Sequence, residues 1–403
     1  MTAPGLEHDP DGSDGPTPVT PPATARRHGM LMLVGVVLGA LALAWFAQVA
    51  IAFRATEVVD GETVYALNDV WGYDYEAYVN AAVRLGDEGS LYQDKTLDGP
   101  FRPGPYGLYM YSPTLGVALL PVADMAVADS SLLWYAAHVI ALMAAIALMP
   151  VRPSVKVWTF VVAAFSFAVV RDLALGNVSV LLLLPLAAAW RWLDQPIGSI
   201  AQALAISIRP TLGILILWQL LRRQWRAVAW TVGAGLVLIV VTLPFVGIGG
   251  YGDYLTVLRN VSEVTGVEHN LDLGSTALTL GADDSIANLA LVGGYILAIG
   301  AVALSLRRDR EVGFMVSLGA SLLLSPLLWD HYLAMLILPA AFLVQRGRTW
   351  ALALPLLSWL PAEALPFIVI AATLLPFVAR PAVPPATATD ADDRTATPCG
   401  ATA

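Results

Sequence analysis

The 403-residue chain predicts an all-α polytopic membrane protein, and three observations carry that expectation. Its composition is 57% hydrophobic and only 13% charged, with a mean hydropathy of +0.68. A soluble globular chain carries about 25% charged residues. Apolar runs of about 20 residues, the helical length that spans a bilayer core, recur along most of the sequence. The alternating pattern of a membrane β-barrel is absent. Helices are then the way to pair every backbone N–H and C=O in hydrocarbon.

Taken in order, residues 1–29 are rich in Pro, Gly, Thr and Asp and read as a disordered cytoplasmic tail. The apolar run 30–53 follows Arg26 and Arg27. It is too long for the core of a signal peptide and reads as a retained signal-anchor span. Further spans are expected at 132–149, 155–170, 178–191, 227–248, 286–306, 312–328 and 333–344. The run 350–378 is broken at Pro361-Ala362-Glu363 and reads as two shorter helices with a turn. Residues 109–125 are apolar but interrupted by Pro113 and Pro121, which fits either a span or an interfacial segment. Residues 381–403 read as a second disordered cytoplasmic tail.

Lysine and arginine set the orientation. With the N-terminus inside, the inner segments hold Arg26, Arg27, Arg152, Lys156, Arg191, Arg222, Arg223, Arg226, Arg307, Arg308, Arg310, Arg346, Arg348, Arg380 and Arg394. The outer ones hold Arg54, Arg84, Lys95, Arg102, Arg171 and Arg259. Segment 197–221 fits this pattern only if it is hinged at Arg209-Pro210 and returns to the side it came from, since proline removes a backbone donor and favours a break. The expected localisation is the cell membrane, multi-pass, with both termini cytoplasmic.

This orientation gathers the polar residues that need explaining on the outer face. A large first extracytoplasmic loop, 58–111, is dense in carboxylates and aromatics and contains Trp71-Gly72-Tyr73-Asp74-Tyr75-Glu76. Asp74 among Tyr73, Tyr75 and Tyr78 suits a general base acting on an acceptor hydroxyl beside rings that stack on sugars. It suits an aromatic belt with a solvated acid as well. Asp69 competes for the role of base. Arg84, Lys95 and Arg102 are loop cations that either meet a phosphate or are simply solvated. Arg209, at depth in an apolar segment, is a permanent cation where charge is costly and has the planar fork that suits phosphate. Trp329-Asp330-His331 stands at an outer span end, and Arg171, Asp172 and Asn177 form another polar turn.

Some classes are excluded. The net charge of −9 and the lack of a basic surface argue against nucleic-acid binding. Cys399 is alone, so intrachain disulfides and cysteine-based metal sites are not expected. There is no glycine-rich phosphate loop. Asp9-Pro10-Asp11 and Asp390-Ala391-Asp392 have the spacing of a nucleotide-sugar metal motif but sit in the tails. No metal site and no cofactor are predicted, and a need for a divalent ion stays open. A transporter or lipid flippase with broken helices is the alternative to an enzyme, and an inactive assembly subunit is a third reading.

Several segments together resemble the membrane glycosyltransferases of family 87. They are Asp74-Tyr75-Glu76-Ala77-Tyr78 with Ala81-Ala82 and Leu91-Tyr92, Tyr111-Ser112-Pro113, Leu175-Gly176-Asn177, Ile208-Arg209-Pro210-Thr211 followed by Leu221-Arg222-Arg223-Gln224-Trp225-Arg226-Ala227, and Ser325 through Tyr332. The resemblance spans roughly residues 30–380, with Arg209 where a Lys is frequent and Tyr332 where a second His is commoner. It implies a GT-C fold of about 10–12 membrane helices, some broken or re-entrant, with a transmembrane catalytic domain over 30–380. It also implies a polyprenyl-phosphate sugar donor, usually of mannose, an α-1,2-type linkage, and a glycolipid or polysaccharide acceptor on the extracytoplasmic face of the bilayer. Related enzymes transfer arabinofuranose. Members occur in actinobacteria, whose cell envelope supplies lipid-linked mannosides and lipoglycans as acceptors. By position, Asp74 would be the catalytic base, and Arg209 and His331 would hold the donor phosphate. Further possible substrate contacts are Asp69, Tyr73, Tyr75, Tyr78, Arg102, Asn177, Trp329 and Asp330.

Overall fold

The computed structural model describes residues 23–53, 57–59, 62–64, 72–99, 108–262 and 269–379. Asp69, Trp71, Arg102, the two Asp-X-Asp motifs of the tails and residues 381–403 lie outside them. The described residues are helical apart from a short antiparallel hairpin, β1 (Glu57–Val59) and β2 (Glu62–Val64).

The helices in chain order are α1 (Ala23–Phe53), α2 (Tyr73–Glu88), α3 (Asp94–Leu97), α4 (Pro113–Ala123), α5 (Val127–Leu148), α6 (Pro153–Ala164), α7 (Phe167–Leu175) and α8 (Ser179–Arg191). They continue with α9 (Pro196–Ile208), α10 (Ile214–Leu221), α11 (Trp225–Ser262), α12 (Leu273–Thr279), α13 (Asp284–Ser305), α14 (Arg310–Leu323), α15 (Ile337–Gln345) and α16 (Leu365–Leu374). The turns Pro210–Gly213, Asp330–Leu336 and Thr349–Trp359 are 3₁₀ helices. Among the described residues, stretches of α1, α5, α11 and α13 are long and apolar enough to cross a membrane, and α6 with α7 forms a further candidate bent by 61°. Shorter apolar helices supply the rest of the bundle.

The observed elements shift several boundaries. α1 begins at Ala23, inside the stretch read as tail. α4 has 11 residues and is too short to span alone. α11 runs on to Ser262, kinked at Gly247, through residues that read as loop. Its far part packs on α3 and α4, and Asn260 Nδ2 donates to the carbonyls of Thr96 (2.9 Å) and Leu97 (3.1 Å). The stretch 350–378 divides at Leu360–Pro361 into a 3₁₀ turn and α16.

The expected hinge at Arg209-Pro210 decides how the site is placed. α9 ends at Ile208, Pro210 opens the 3₁₀ turn, and α10 folds back. The fold-back is fixed by Gln219 Nε2 of α10, which donates to Gln202 Oε1 of α9 over 3.0 Å. A straight helix would hold residues 17 apart at about 25 Å. Trp218, fully buried, anchors α10 edge-on against Phe314 of α14. Arg209 therefore sits at the apex of a hairpin, with both hairpin ends at the other side of the bundle. α8 packs between α5 and α9, and α7 lies against the 330–336 turn. α2 meets α7, and the turn that follows α9 packs on α14.

Replacing Gln202 or Gln219 singly by Leu leaves the other amide buried and unpaired, whereas replacing both removes the mismatch. Thermal unfolding of the four proteins in detergent is expected to show a coupling of about 0.6 kcal/mol or more. Strict additivity of the two substitutions would mean the hairpin does not form.

Candidate functional site

Asp74 enters the site from the first turn of α2. Gly72 precedes it in the left-handed region, φ 75, and donates its N–H to the Ala174 carbonyl at 2.7 Å. This backbone bond ties the start of α2 to the end of α7. The end of α7 is held in turn by Gly176, φ 67, whose carbonyl accepts from Trp134 Nε1 at 2.7 Å. A side chain at 176 would be strained by its φ and would bring its Cβ to 2.7 Å from the Cβ of Tyr75. α2 and the α7–α8 turn meet only because glycine is there.

Asn177, the next residue, joins the pieces. Its Nδ2 stands 2.8 Å from Asp74 Oδ2 and 3.1 Å from each of the hydroxyls of Tyr78 and Tyr111. Its Oδ1 accepts from the N–H (3.2 Å) and hydroxyl (2.9 Å) of Ser179, which fixes the orientation of the amide. Beneath it, the carboxylate of Asp172 caps α8, accepting from Ser179 N at 3.1 Å and Val180 N at 3.0 Å. His138 of α5 completes this floor. One ring nitrogen faces the carbonyl of Trp134 at 2.8 Å and the other faces that of Asn177. The Asp172 carboxylate lies 3.8 Å from His138 Nε2.

The cations come from the opposite wall. Arg209 is buried, with its guanidinium carbon 3.5 Å from the centre of the Tyr332 ring. Among the described residues its side chain makes one hydrogen bond, a long one to Ser325 Oγ, 3.5 Å. No carboxylate among the described residues is in ion-pair reach of it. Tyr332 neighbours Tyr111, which in turn meets Asn177 beside Asp74, so Arg209 and Asp74 border one layer of tyrosines. His331 is buried as well. Its Nδ1 lies 3.3 Å from Asp330 Oδ1, while its Nε2 has no hydrogen-bond partner among the described residues. Arg171 approaches the other Asp330 oxygen at 4.0 Å. The 325–331 segment is clamped by Asn270, whose side chain donates to the Pro326 carbonyl at 2.9 Å and accepts from Leu328 N at 2.9 Å.

Asp74 keeps partial exposure although protein surrounds it. Burial raises its carboxyl above the ordinary carboxylate range, opposed by neighbouring His331, the Asn177 hydrogen bond and Arg171. Among the described residues only Asn177 donates to it, which leaves the second oxygen available. The layer thus has a proton acceptor on one side and a buried cation on the other, with an imidazole nitrogen unpaired among the described residues.

The sequence-derived candidates divide by place. Asp74, Asn177, Tyr78, Asp330 and His331 meet in this layer, with Arg209 across it. Tyr75 turns into the core, its ring 5.5 Å from that of Trp134. Tyr73 is half-buried at the start of α2, and Trp329 packs with Leu108 and Leu327. Arg84 donates to the Leu91 carbonyl at 2.7 Å and so braces the loop. His138, Asn270 and Ser325 gain their roles only from partners distant in sequence. Among the described residues no group of three His, Cys, Asp or Glu is placed to hold a metal ion.

The family model described as Glycosyltransferase family 87 matches residues 109–326, just over half of the chain. The chain belongs to glycosyltransferase family 87. It is a multi-pass membrane glycosyltransferase, and its all-helical architecture is of the GT-C class to which family 87 belongs. The matched stretch contains Tyr111, Asn177, Arg209 and Ser325. Asp74 and His331 flank it and reach the same layer through the contacts above. A search of curated proteins finds no match to this chain.

Gly176→Ala is expected to lower the thermal midpoint, with about 1–2 kcal/mol from the left-handed backbone alone and more from the overlap with Tyr75. Gly86→Ala, on α2 where an added Cβ meets nothing within 4 Å, should be neutral or gain up to about 1 kcal/mol. Equal melting of the two variants would show that the junction tolerates a side chain.

Proposed function

We propose that this glycosyltransferase moves mannose from a polyprenyl-phosphate donor to a glycolipid or polysaccharide acceptor at the extracytoplasmic face. Asp74 is the general base, and Arg209 and His331 hold the donor phosphate. The observation that carries the reading is a buried Arg209 with no carboxylate partner among the described residues, bordering the same tyrosine layer as Asp74 and as His331, whose Nε2 is unpaired among them. A buried cation is costly without an anion, and a phosphate supplies one. The preference for mannose rests on the sequence resemblance alone. Residues 30–380 act as the catalytic domain in this reading, with Tyr73, Tyr78, Asn177, Trp329 and Asp330 as further contacts or supports.

The chemistry follows from those placements. The acceptor hydroxyl gives its proton to the free oxygen of Asp74 as its own oxygen forms a bond to the sugar's anomeric carbon. The bond from that carbon to the phosphate oxygen breaks, and the electron pair leaves with the polyprenyl phosphate. Arg209 and His331 stabilise the charge gathering there, the kind of effect that contributes most to catalysis in a dry site. A donor anchored in lipid arrives at this depth by its own tail and needs no nucleotide.

Membranes containing the protein, given labelled polyprenyl-phosphate-mannose and candidate acceptors, should form a labelled product. A product formed only from the arabinofuranose donor would replace the sugar assignment. Asp74→Asn should lower turnover by about 10²- to 10⁴-fold while the protein still inserts. Arg209→Ala should chiefly weaken donor use, and undiminished use at limiting donor would remove it from the phosphate site.

Activity should fall on the acid side as Asp74 gains its proton, at a pH above the ordinary carboxylate range. Asn177→Ala removes a hydrogen bond that favours the carboxylate, so the acid limb of kcat/KM should move to higher pH. A limb that stays in place would detach Asp74 from the rate.

A further inference from the structure

At the end of the bundle away from Asp74, a second site is built from residues that the transfer reaction does not use. α8, α9 and α14 each run between the tyrosine layer and this end. The 13 residues of α9 separate the two by about 20 Å. Here a cavity of about 410 Å³ is lined by Arg222, Arg223, Arg226 and Arg310, with Gln224 and Trp225 among its other walls. Four guanidinium groups converge on one concavity in a chain whose net charge is −9. The one carboxylate in the lining, Asp194, is taken by an ion pair with Arg310. Arg222 is directed by bonds to the carbonyls of Arg308 (2.9 Å) and Leu306 (3.4 Å). Arg223 and Arg226 are exposed and have no carboxylate partner among the described residues. Gln224 Nε2 is buried without a hydrogen-bond partner. Arg223 holds a left-handed backbone, φ 56, where the end of a helix favours glycine. The chain accepts that conformation and keeps an arginine in the cavity wall.

The cavity does not end in water. Arg226 and Trp230 also line an apolar slot of about 730 Å³ between α9 and α11, walled by Ile200, Leu204, Val237 and Leu238. The small residues Ala229, Gly233 and Ala234 form its floor. Ile200 and Val237 remain 44% and 61% exposed, so the slot opens to the lipid. Trp225 and Trp230, at its polar mouth, are side chains that favour the headgroup level.

We propose that this cavity and slot together bind one anionic phospholipid of the surrounding bilayer, with its phosphate among the arginines and an acyl chain between α9 and α11. Basic pockets between membrane helices are suited to such headgroups, and both volumes fall in the range of about 300–1,000 Å³ usual for bound small molecules. The apolar slot distinguishes this site from one for a free anion. The net positive lining, with its carboxylate already paired, distinguishes it from one for a zwitterionic headgroup. The Lys and Arg asymmetry of the sequence assigns this end to the cytoplasmic leaflet, where anionic lipid is expected.

Native mass spectrometry of the full chain in detergent tests the site. Phosphatidylglycerol, phosphatidylcholine of matched chains, and inorganic phosphate are titrated separately. The wild type is expected to retain phosphatidylglycerol about tenfold more strongly than phosphatidylcholine, and phosphate alone should not displace it. Arg223→Gln with Arg226→Gln should erase that preference while sugar transfer persists, since neither residue touches the tyrosine layer. Equal retention of the two lipids by the wild type would overturn the proposal, whether or not the double variant folds. So would displacement by phosphate alone, or a double variant that keeps the preference. Sugar transfer is measured on the same samples, so that failure here is separable from failure of the transfer reading.

Discussion

An amide can point in two directions, and at Asn177 the choice is made by Ser179, whose N–H and hydroxyl both donate to Oδ1. The NH₂ is thereby turned toward Asp74, Tyr78 and Tyr111. Helices that are far apart in sequence meet at this one group: α2 through Asp74 and Tyr78, the approach to α4 through Tyr111, and the α7–α8 turn through Asn177 itself. In a bundle with few polar groups, each of these contacts replaces water that the bilayer does not supply. The floor of Asp172 and His138 then keeps the turn from shifting. What Asn177 fixes is the position of a carboxylate, and the rest of the site is arranged around that position.

The opposite wall follows a different rule. Arg209 is surrounded by an aromatic face and a hydroxyl and, among the described residues, pairs with no carboxylate. The tyrosine layer separates it from Asp74, so the two charges are not spent on each other. A direct ion pair would satisfy both and leave neither free for a ligand. The ring of Tyr332 takes up the guanidinium face. The arginine fork thus remains available at its edges.

Much of the architecture was legible because the bilayer imposes a strong pattern. The apolar runs gave the helices, and a proline next to a lone intramembrane arginine gave the hairpin of α9 and α10. The longer reach of α11 was not legible. Its glycines at 249, 250 and 252 read as loop, and packing on α3 and α4 holds that stretch as helix. In the site, Asp74 was visible from the aromatic residues clustered around it, and Asn177 only as part of a turn, because its partner lies 103 residues away. His138 gave no local signal at all: a single imidazole in an apolar span acquires meaning only from the carbonyls it meets. Asn270 is similar, since the loop it clamps lies more than fifty residues further on.

The hairpin formed by α9 and α10 has a consequence for biogenesis. Its tip carries a charge, and the groups that shelter that charge, Ser325 and Tyr332, are synthesised more than a hundred residues later. Released alone into lipid, the tip would present a bare guanidinium and proline-freed carbonyls to hydrocarbon, a costly exposure. The shelter of the tip is complete only once α14 and the turn after it are in place. Insertion of the middle of this protein is completed from its C-terminal side.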